Sequence, residues 1–399
     1  MSALRFEILA RSPESRARLG RVTTPNGTFD TPAFMPVATA AAMKGLTPAQ
    51  VRGTGSQIIL NNAYHLFLRP GGERLERFGG SRRFMRWDGP MLTDSGGYQA
   101  YSMSDTADLD EDGVTFRSFV DGSKVHLGPE SSMRIQHQIG ADIIMAFDDC
   151  PPAAVPGEGA DERRAARVRR VDDHRRRMAE AHERTLRWLG RCVRAHDRGD
   201  RQALFGIVQG ATDLDLRRRS AEGVCAHDLP GYAIGGVAVG EGPEAIRTVV
   251  EFTAPLLPED RPRYLMGVGY ERDVVMAVAA GVDMFDCVLP TRNGRNAGAF
   301  TREGPIRLRN ARFADDPSPI DPSCDCEACA GGFSRAYLRH LFAAGEMLGP
   351  TLVSLHNIRH FQRLMMDVRS AIREGRWAGL LSQWPCIGRE TEDAEQEHP

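Results

Sequence analysis

Eight short apolar runs, at 33–37, 57–60, 90–93, 142–147, 203–208, 232–236, 264–268 and 282–288, are separated by connections long enough to hold a helix. Runs of this length, without polar alternation, read as strands buried on both faces. Eight such strands joined by helical crossovers over about 250 residues are what a closed (β/α)8 barrel needs, with a doubly wound open sheet as the alternative. The 399 residues leave room for one barrel-sized domain with an appendage rather than for two small domains. Residues 1–32 differ in pattern. Pro25-Asn26-Gly27 between extended runs predicts a hairpin in a small antiparallel sheet, acting as a lid or a base plate.

The residues just beyond each run are polar or glycine: Asn61-Asn62, Asp94-Ser95-Gly96-Gly97-Tyr98-Gln99, Asp148-Asp149-Cys150, Gln209-Gly210, Gly235-Gly236, Met266-Gly267 and Asp286. In a barrel all of these face one mouth. Singly, each is an ordinary turn or cap residue; together, Asp94, Asp148, Gln209 and Asp286 on different strands point to a site. Asp286 has a plainer reading as half of a structural ion pair with a nearby arginine. The eighth run then passes into a proline-stopped, arginine-rich loop carrying Arg292 and Arg295.

Two insertions interrupt the alternation. Residues 113–127 predict a hairpin followed by a helix capped at Gly128-Pro129, and 162–195 form a long arginine-dense helix whose interspersed carboxylates suggest an ion-paired, solvated face rather than an RNA-binding stripe. A formal net charge of −2 means that any polyanion must be met by local patches. No run approaches the roughly 18 apolar residues of a membrane span and the N-terminal stretch lacks a signal-peptide core, so a cytoplasmic protein without membrane contact is expected.

Three of the eight cysteines, Cys324, Cys326 and Cys329, fall within six residues. Thiolates so close call for a soft cation, and Zn2+ takes four ligands. A downstream histidine is the expected fourth, His356 ahead of His340 and His360, closing the site so that the metal is structural. This divides the chain into a sheet (1–32), a barrel with the inserted hairpin (33–300), a zinc-binding subdomain with closing helices (301–385) and an acidic tail (386–399) expected to be disordered.

A pair such as Asp94 and Asp286 at one mouth suits covalent catalysis with proton transfer, one carboxylate attacking carbon and the other moving the proton. Asp148 can accept from a ring N–H and an adjacent amino group, while Gln209 and a backbone N–H near Gly236 can serve a carbonyl; those are the edges of guanine. Tyr98 and Met266 could sandwich a flat ring.

The motifs Leu92-Thr-Asp94-Ser-Gly-Gly-Tyr98-Gln, Met145-Ala-Phe-Asp148-Asp-Cys150, Ile207-Val-Gln209-Gly, Gly235-Gly-Val-Ala-Val239-Gly-Glu, Tyr264-Leu-Met266-Gly-Val-Gly and Phe285-Asp286-Cys-Val-Leu-Pro-Thr-Arg-Asn, with the Cys-x-Cys-x-x-Cys…His set, resemble bacterial tRNA-guanine transglycosylases over nearly the full length. The resemblance implies a TIM barrel with a zinc subdomain, usually homodimeric, that exchanges the guanine at the first anticodon position of certain tRNAs for 7-aminomethyl-7-deazaguanine. It implies Asp286 as nucleophile, Asp94 as general acid/base, and Asp148, Gln209 and Gly236 as base readers, with Cys150 and Val237 beside the base and Arg292 and Arg295 on the tRNA. Val239 stands where queuine-using relatives carry glycine, which favours the smaller base. Two departures are Thr291-Arg-Asn-Gly294-Arg-Asn-Ala297, where the family's alanine and glycine are exchanged, and Gly128, where threonine is usual. A two-carboxylate glycosidase has no use for a guanine reader. A non-catalytic tRNA-binding subunit has no reason to keep both Asp94 and Asp286.

Overall fold

The computed structural model describes residues 3–102, 108–152, 164–238 and 240–388. Its centre is a closed barrel of eight parallel strands, Ala33–Ala38, Ile59–Asn61, Met91–Thr93, Ile143–Met145, Ala203–Val208, Gly231–Ile234, Arg263–Leu265 and Met284–Cys287. The eighth pairs with the first from Met284 opposite Ala33 to Cys287 opposite Pro36, which closes the ring and removes both sheet edges. Several ladders are shorter than the apolar runs, because the chain leaves the sheet for the mouth before its hydrophobic residues end.

Alternate residues divide the strands between two cores. Met35, Leu60, Leu92, Ile143, Met145, Phe205, Ile207, Tyr264 and Met284 fill the barrel, whereas Phe34, Ile59, Met91, Ile144, Leu204, Ile234 and Phe285 pack outward beneath the helices. This two-sided burial is why the strand sequences read as continuous hydrophobic runs.

The antiparallel sheet Arg5–Arg11, Arg18–Thr24 and Gly27–Thr31 is the floor. Val22 and Phe29 join the interior core. Arg18 grips Asp283 at 2.6 and 2.9 Å, with both side chains buried, and Asp283 also accepts from the Arg263 N–H at 2.7 Å. Asn26 donates to Asp142 at 2.8 Å. Asp283 and Asp142 precede the eighth and fourth strands, so the sheet seals the end opposite the mouth and is a base plate.

The inserted hairpin pairs Val114–Arg117 with Lys124–Leu127, plus a short third strand, Asp108–Leu109. It leads into the helix Pro129–Ile139, capped at Gly128 as expected. On that helix the buried Gln136 accepts from Thr93 Oγ1 at 3.0 Å and from the Met145 N–H at 2.8 Å, joining the ends of the third and fourth strands just before Asp94 and Asp148.

The arginine-rich segment after the eighth strand is a correction. It forms the helix Leu289–Arg295, with the Arg292 N–H bonded to Val288 O at 2.8 Å. Pro290 sits in its first turn, where its missing N–H costs nothing and its fixed φ favours helix, so it starts this element rather than stopping one. Among the described residues no helix is long and apolar enough to cross a membrane. The tail expected from 386 begins later: Cys386–Gly388 belong to the 3-10 turn Pro385–Gly388, with Ile387 buried and the Cys386 N–H bonded to Arg302 O at 2.9 Å, and the remainder, 389–399, lies outside the described residues.

Candidate active site

Asp286 ends the eighth strand, half-buried, and has no arginine partner among the described residues. Its Oδ1 accepts from the Tyr264 hydroxyl at 2.6 Å and from the Gly267 N–H at 2.9 Å. Burial raises its pKa, and those two donors oppose the rise. The ion-pair reading of Asp286 is thereby overturned: the carboxylate is oriented by neutral donors, its second oxygen carries no hydrogen bond among the described contacts, and no cation quenches it. Tyr264 is itself held far above its ordinary pKa, first by burial and then by the Asp286 charge, so it remains a donor.

Asp94 follows the third strand and is almost fully buried. It accepts from the Ala63 N–H at 2.7 Å and from the Asn62 side-chain amide. Burial is the largest influence on it, and the charges of Asp286 and Asp148 add to the effect against the opposing Ala63 N–H, so its carboxyl is pushed up to about 7. A group poised there can give or take a proton near neutrality. Gly96 holds a left-handed φ of 79°, and a Cβ there would meet the Tyr64 backbone nitrogen at 3.0 Å; only glycine lets this turn lie against the start of the helix Ala63–Leu68, whose first N–H binds Asp94.

The ends of the fourth to seventh strands bring further groups to the mouth. Gln209 Nε2 donates to Asp148 Oδ2 at 2.6 Å, and Ser95 Oγ lies 3.3 Å from Oδ1. Burial pushes Asp148 up to about 6, Gln209 opposing it. Gly236 turns with φ 61°, and a Cβ there would come within 2.2 Å of Gln209 Oε1. Cys150 is half-buried, its thiol pushed up to about 12 by burial and by Asp148. Val237 is buried, Met266 packs against the barrel interior, and Tyr98 stands partly exposed on the helix Gly97–Ser102. Glu241 Oε1 accepts from the Ala238 N–H at 2.5 Å, so this carboxylate is already tied to the backbone beside the pocket. Val239 lies outside the described residues.

Asp149 turns the other way. It is buried and takes Arg177 at 2.6 and 2.9 Å and Arg184 at 2.6 Å, both from the helix Arg164–Ala195, while its N–H bonds Thr185 Oγ1. Outward arginines of that helix do pair with carboxylates, as Arg187 with Glu111 and Arg191 with Glu130. These two instead anchor the Asp148 loop, which no charge count in the sequence foretold. The sequence places Asn62 at the mouth without matching it to Asp94, whereas Tyr264, Gln136 and Arg217, whose guanidinium donates to Gly235 O at 2.7 Å, are site-building residues that sequence reasoning missed, since nothing in their local pattern separates them from core.

Arg292 is exposed and Arg295 half-buried on the helix Leu289–Arg295, at the end of the strand carrying Asp286. Burial and then the Arg292 charge lower the pKa of Arg295, a local concentration of cation that an anion would relieve. This helix rests on the long helix Leu348–Glu374. Asn357 donates to Pro290 O and to Gly298 O, both at 2.9 Å, and a Cβ on Gly294 would meet Ser354 Oγ at 2.7 Å and its backbone at 2.8 Å. Ala297 takes a left-handed φ of 66°.

The residue next to Asn357 closes the metal centre. Cys324, Cys326, Cys329 and His356 are all buried, with ligand atoms within 4.8 Å of one another. His356 Nδ1 faces Cys329 Sγ at 3.3 Å and Cys326 Sγ at 3.5 Å, while its Nε2 lies 2.7 Å from Phe300 O. Three thiols and an imidazole whose second nitrogen is fixed by a carbonyl could supply all four ligands that a structural zinc takes, leaving no open position. His360 is excluded by its bond to Glu271 at 2.7 Å, and His340 by its exposure. Zinc here would hold the helix that supports Arg292 and Arg295.

The family described as queuine tRNA-ribosyltransferase matches residues 13–385. Curated proteins of that name are similar over nearly the whole chain: one from Thermus thermophilus is 52% identical over 384 residues, covering 96% of this chain and 94% of its own. Those of Symbiobacterium thermophilum and Acetivibrio thermocellus are each 50% identical, over 386 and 376 residues, covering 96% and 94% of this chain and 92% and 96% of theirs. With the barrel, the clustered aspartates and the Cys3His centre on the same chain, this protein belongs to the queuine tRNA-ribosyltransferase family.

Proposed function

We propose that the protein is a tRNA-guanine transglycosylase, exchanging guanine at the first anticodon position of tRNAs for 7-aminomethyl-7-deazaguanine by double displacement. Asp286 attacks C1′ and forms a covalent ribosyl-enzyme, and Asp94 moves the proton to the departing base and from the entering one. Asp148 accepts from the ring N–H and the 2-amino group, while Gln209 and the Gly236 N–H serve the carbonyl oxygen. Tyr98 and Met266 flank the ring, and Cys150 and Val237 line the pocket. Arg292 and Arg295 meet phosphates or bases beside the target nucleotide, which must be flipped into the mouth.

One observation carries this reading: Asp94, Asp148 and Asp286 share one mouth, yet each is held by different partners. Different environments at a shared site are what separate acid/base, reader and nucleophile. A non-catalytic subunit would have no use for that separation. The smaller base is preferred on the bulk of Val239. A homodimer is supported by the exposed apolar residues Tyr337, Met347 and Leu348, with Met347 84% exposed, and the cytoplasm is where tRNA substrates occur.

The test is exchange itself. Labelled guanine is expected to enter, and on a chase to leave, a tRNA whose anticodon begins with G. It is expected not to enter the same tRNA with that base changed. Absence of any exchange, or exchange at another position, would refute the reading.

A further inference from the structure

Behind the base pocket lies a cation that none of the chemistry above employs. Arg217 is on the first turn of the helix Leu214–Cys225 and is fully buried. Its Nε donates to Ala211 O at 2.8 Å, its Nη1 to Val208 O at 3.0 Å and to Gly235 O at 2.7 Å, and its Nη2 to Gly236 O at 3.0 Å. A buried guanidinium ordinarily answers a carboxylate. Among the described residues none lies within ion-pair distance of Arg217. Burial lowers its pKa to about 10, with Cys150 and Glu241 opposing, and the group stays charged at neutral pH.

An unneutralised buried charge is expensive, and an apolar side chain would pack such a site at lower cost. The four acceptors show what the charge does instead. Val208 O and Ala211 O belong to the end of the fifth strand, around Gln209; Gly235 O and Gly236 O belong to the end of the sixth. Arg217 therefore ties together the two strand ends that present the carbonyl-reading donors. In a planar trans peptide the C=O of one residue and the N–H of the next point in opposite directions. Binding the Gly235 carbonyl consequently turns the Gly236 N–H away from the guanidinium, and binding the Gly236 carbonyl fixes the next peptide plane as well. Glycine at φ 61° would otherwise be the least constrained backbone in the pocket. A cation on a peptide oxygen also polarises that peptide, making its N–H a stronger donor.

We infer that Arg217 is a positioning residue for the departing and entering base: it aims the Gly236 N–H at the base's C6 oxygen and, through that peptide, stabilises negative charge there. The inference rests on the base-exchange reading above. As the C1′–N9 bond breaks, its electron pair passes to the purine while an Asp286 oxygen forms the new bond to C1′. The pair spreads to the C6 oxygen until N9 is protonated, and a donor already fixed in place needs no reorganisation to meet it. Asp148, on the other edge of the base, takes no hydrogen bond from Arg217 and meets this device only through the Gln209 amide.

Arg217→Lys keeps the charge but loses the forked geometry, and Arg217→Gln loses the charge. Each variant is measured for melting temperature, for KM of tRNA and for kcat, and for competition by three free bases against labelled guanine incorporation. Guanine and hypoxanthine carry the C6 oxygen; 2-aminopurine lacks it but keeps the 2-amino group. Both variants are expected to bind guanine and hypoxanthine about 10-fold more weakly, with 2-aminopurine within about 2-fold of wild type. The KM for tRNA should be unchanged, and kcat should fall about 10- to 100-fold, less than for loss of a direct donor. Equal weakening of all three bases, no weakening of any, or failure of both variants to fold would overturn the inference and leave Arg217 a scaffold residue. Wild-type enzyme that incorporates guanine beside unchanged variants refutes this inference alone, whereas wild-type enzyme that incorporates none refutes the reading beneath it.

Discussion

Asp94→Asn separates the cost of a catalytic carboxyl from its use. The folded protein holds the proton on Asp94 up to about pH 7, against an ordinary value of 3.8, chiefly through burial. The folded state thus binds the proton more tightly than the unfolded chain does. The stabilisation from this group is fully present below pH 3.8 and is lost as pH rises through 7. At about 1.36 kcal/mol per pH unit the whole window is worth about 4 kcal/mol, and the part between pH 5 and pH 8 about 2 to 3 kcal/mol. Asparagine does not titrate and escapes the loss. It keeps one acceptor for the Ala63 N–H but turns its own NH2 toward the Asn62 amide, a mismatch costing about 1 kcal/mol at every pH. The variant should therefore be less stable than wild type only below about pH 4.5, and its advantage should grow from under about 1 kcal/mol near pH 5 to about 3 kcal/mol near pH 8, while base exchange is lost throughout. For a chain of this size the swing amounts to about 3 °C in melting temperature. Calorimetry of zinc-loaded wild type and variant from pH 5 to 8.5 reads it directly. Melting curves that stay parallel across that range would refute the argument, because they would mean that Asp94 titrates alike folded and unfolded.

Asp286→Ala is expected to bind tRNA with wild-type affinity but to form no denaturation-resistant adduct with it, and an adduct on gels would move the nucleophile elsewhere. His356→Ala should lose metal and several degrees of melting temperature and raise the KM for tRNA more than that for the base, since Asn357 beside it supports the helix carrying Arg292 and Arg295. His360→Ala should retain its zinc, and metal analysis of the two variants distinguishes them. Ala297→Gly should gain about 1 kcal/mol by relieving a left-handed alanine, whereas Gly294→Ala should lose about 1 to 3 kcal/mol against the Ser354 backbone. Denaturant melts with the opposite order would show that the helix pair packs otherwise in solution.

Sequence alone determined the elements whose causes are local. Strands buried on both faces announce themselves as apolar runs, and helical crossovers between eight of them leave few closures besides a barrel. The polar residue that ends each run is then assigned to the mouth by topology, so Asp94, Asp148, Gln209 and Asp286 could be gathered before any coordinates. Three thiols in six residues likewise pointed to a metal. Tertiary structure decided everything that depends on who stands opposite. His356 and His360 are four residues apart on one helix face, and only the position of Glu271 and of the cysteines separates ligand from bystander. Whether Asp286 met an arginine or Tyr264, whether Pro290 stopped a strand or began a helix, and where Arg177, Arg184 and Arg217 turn their charge all depend on contacts between distant parts of the chain. Local pattern sets which groups a residue can offer, while the free energy of a buried charge is fixed by the few ångströms around it, and those are filled by residues tens to hundreds of positions away.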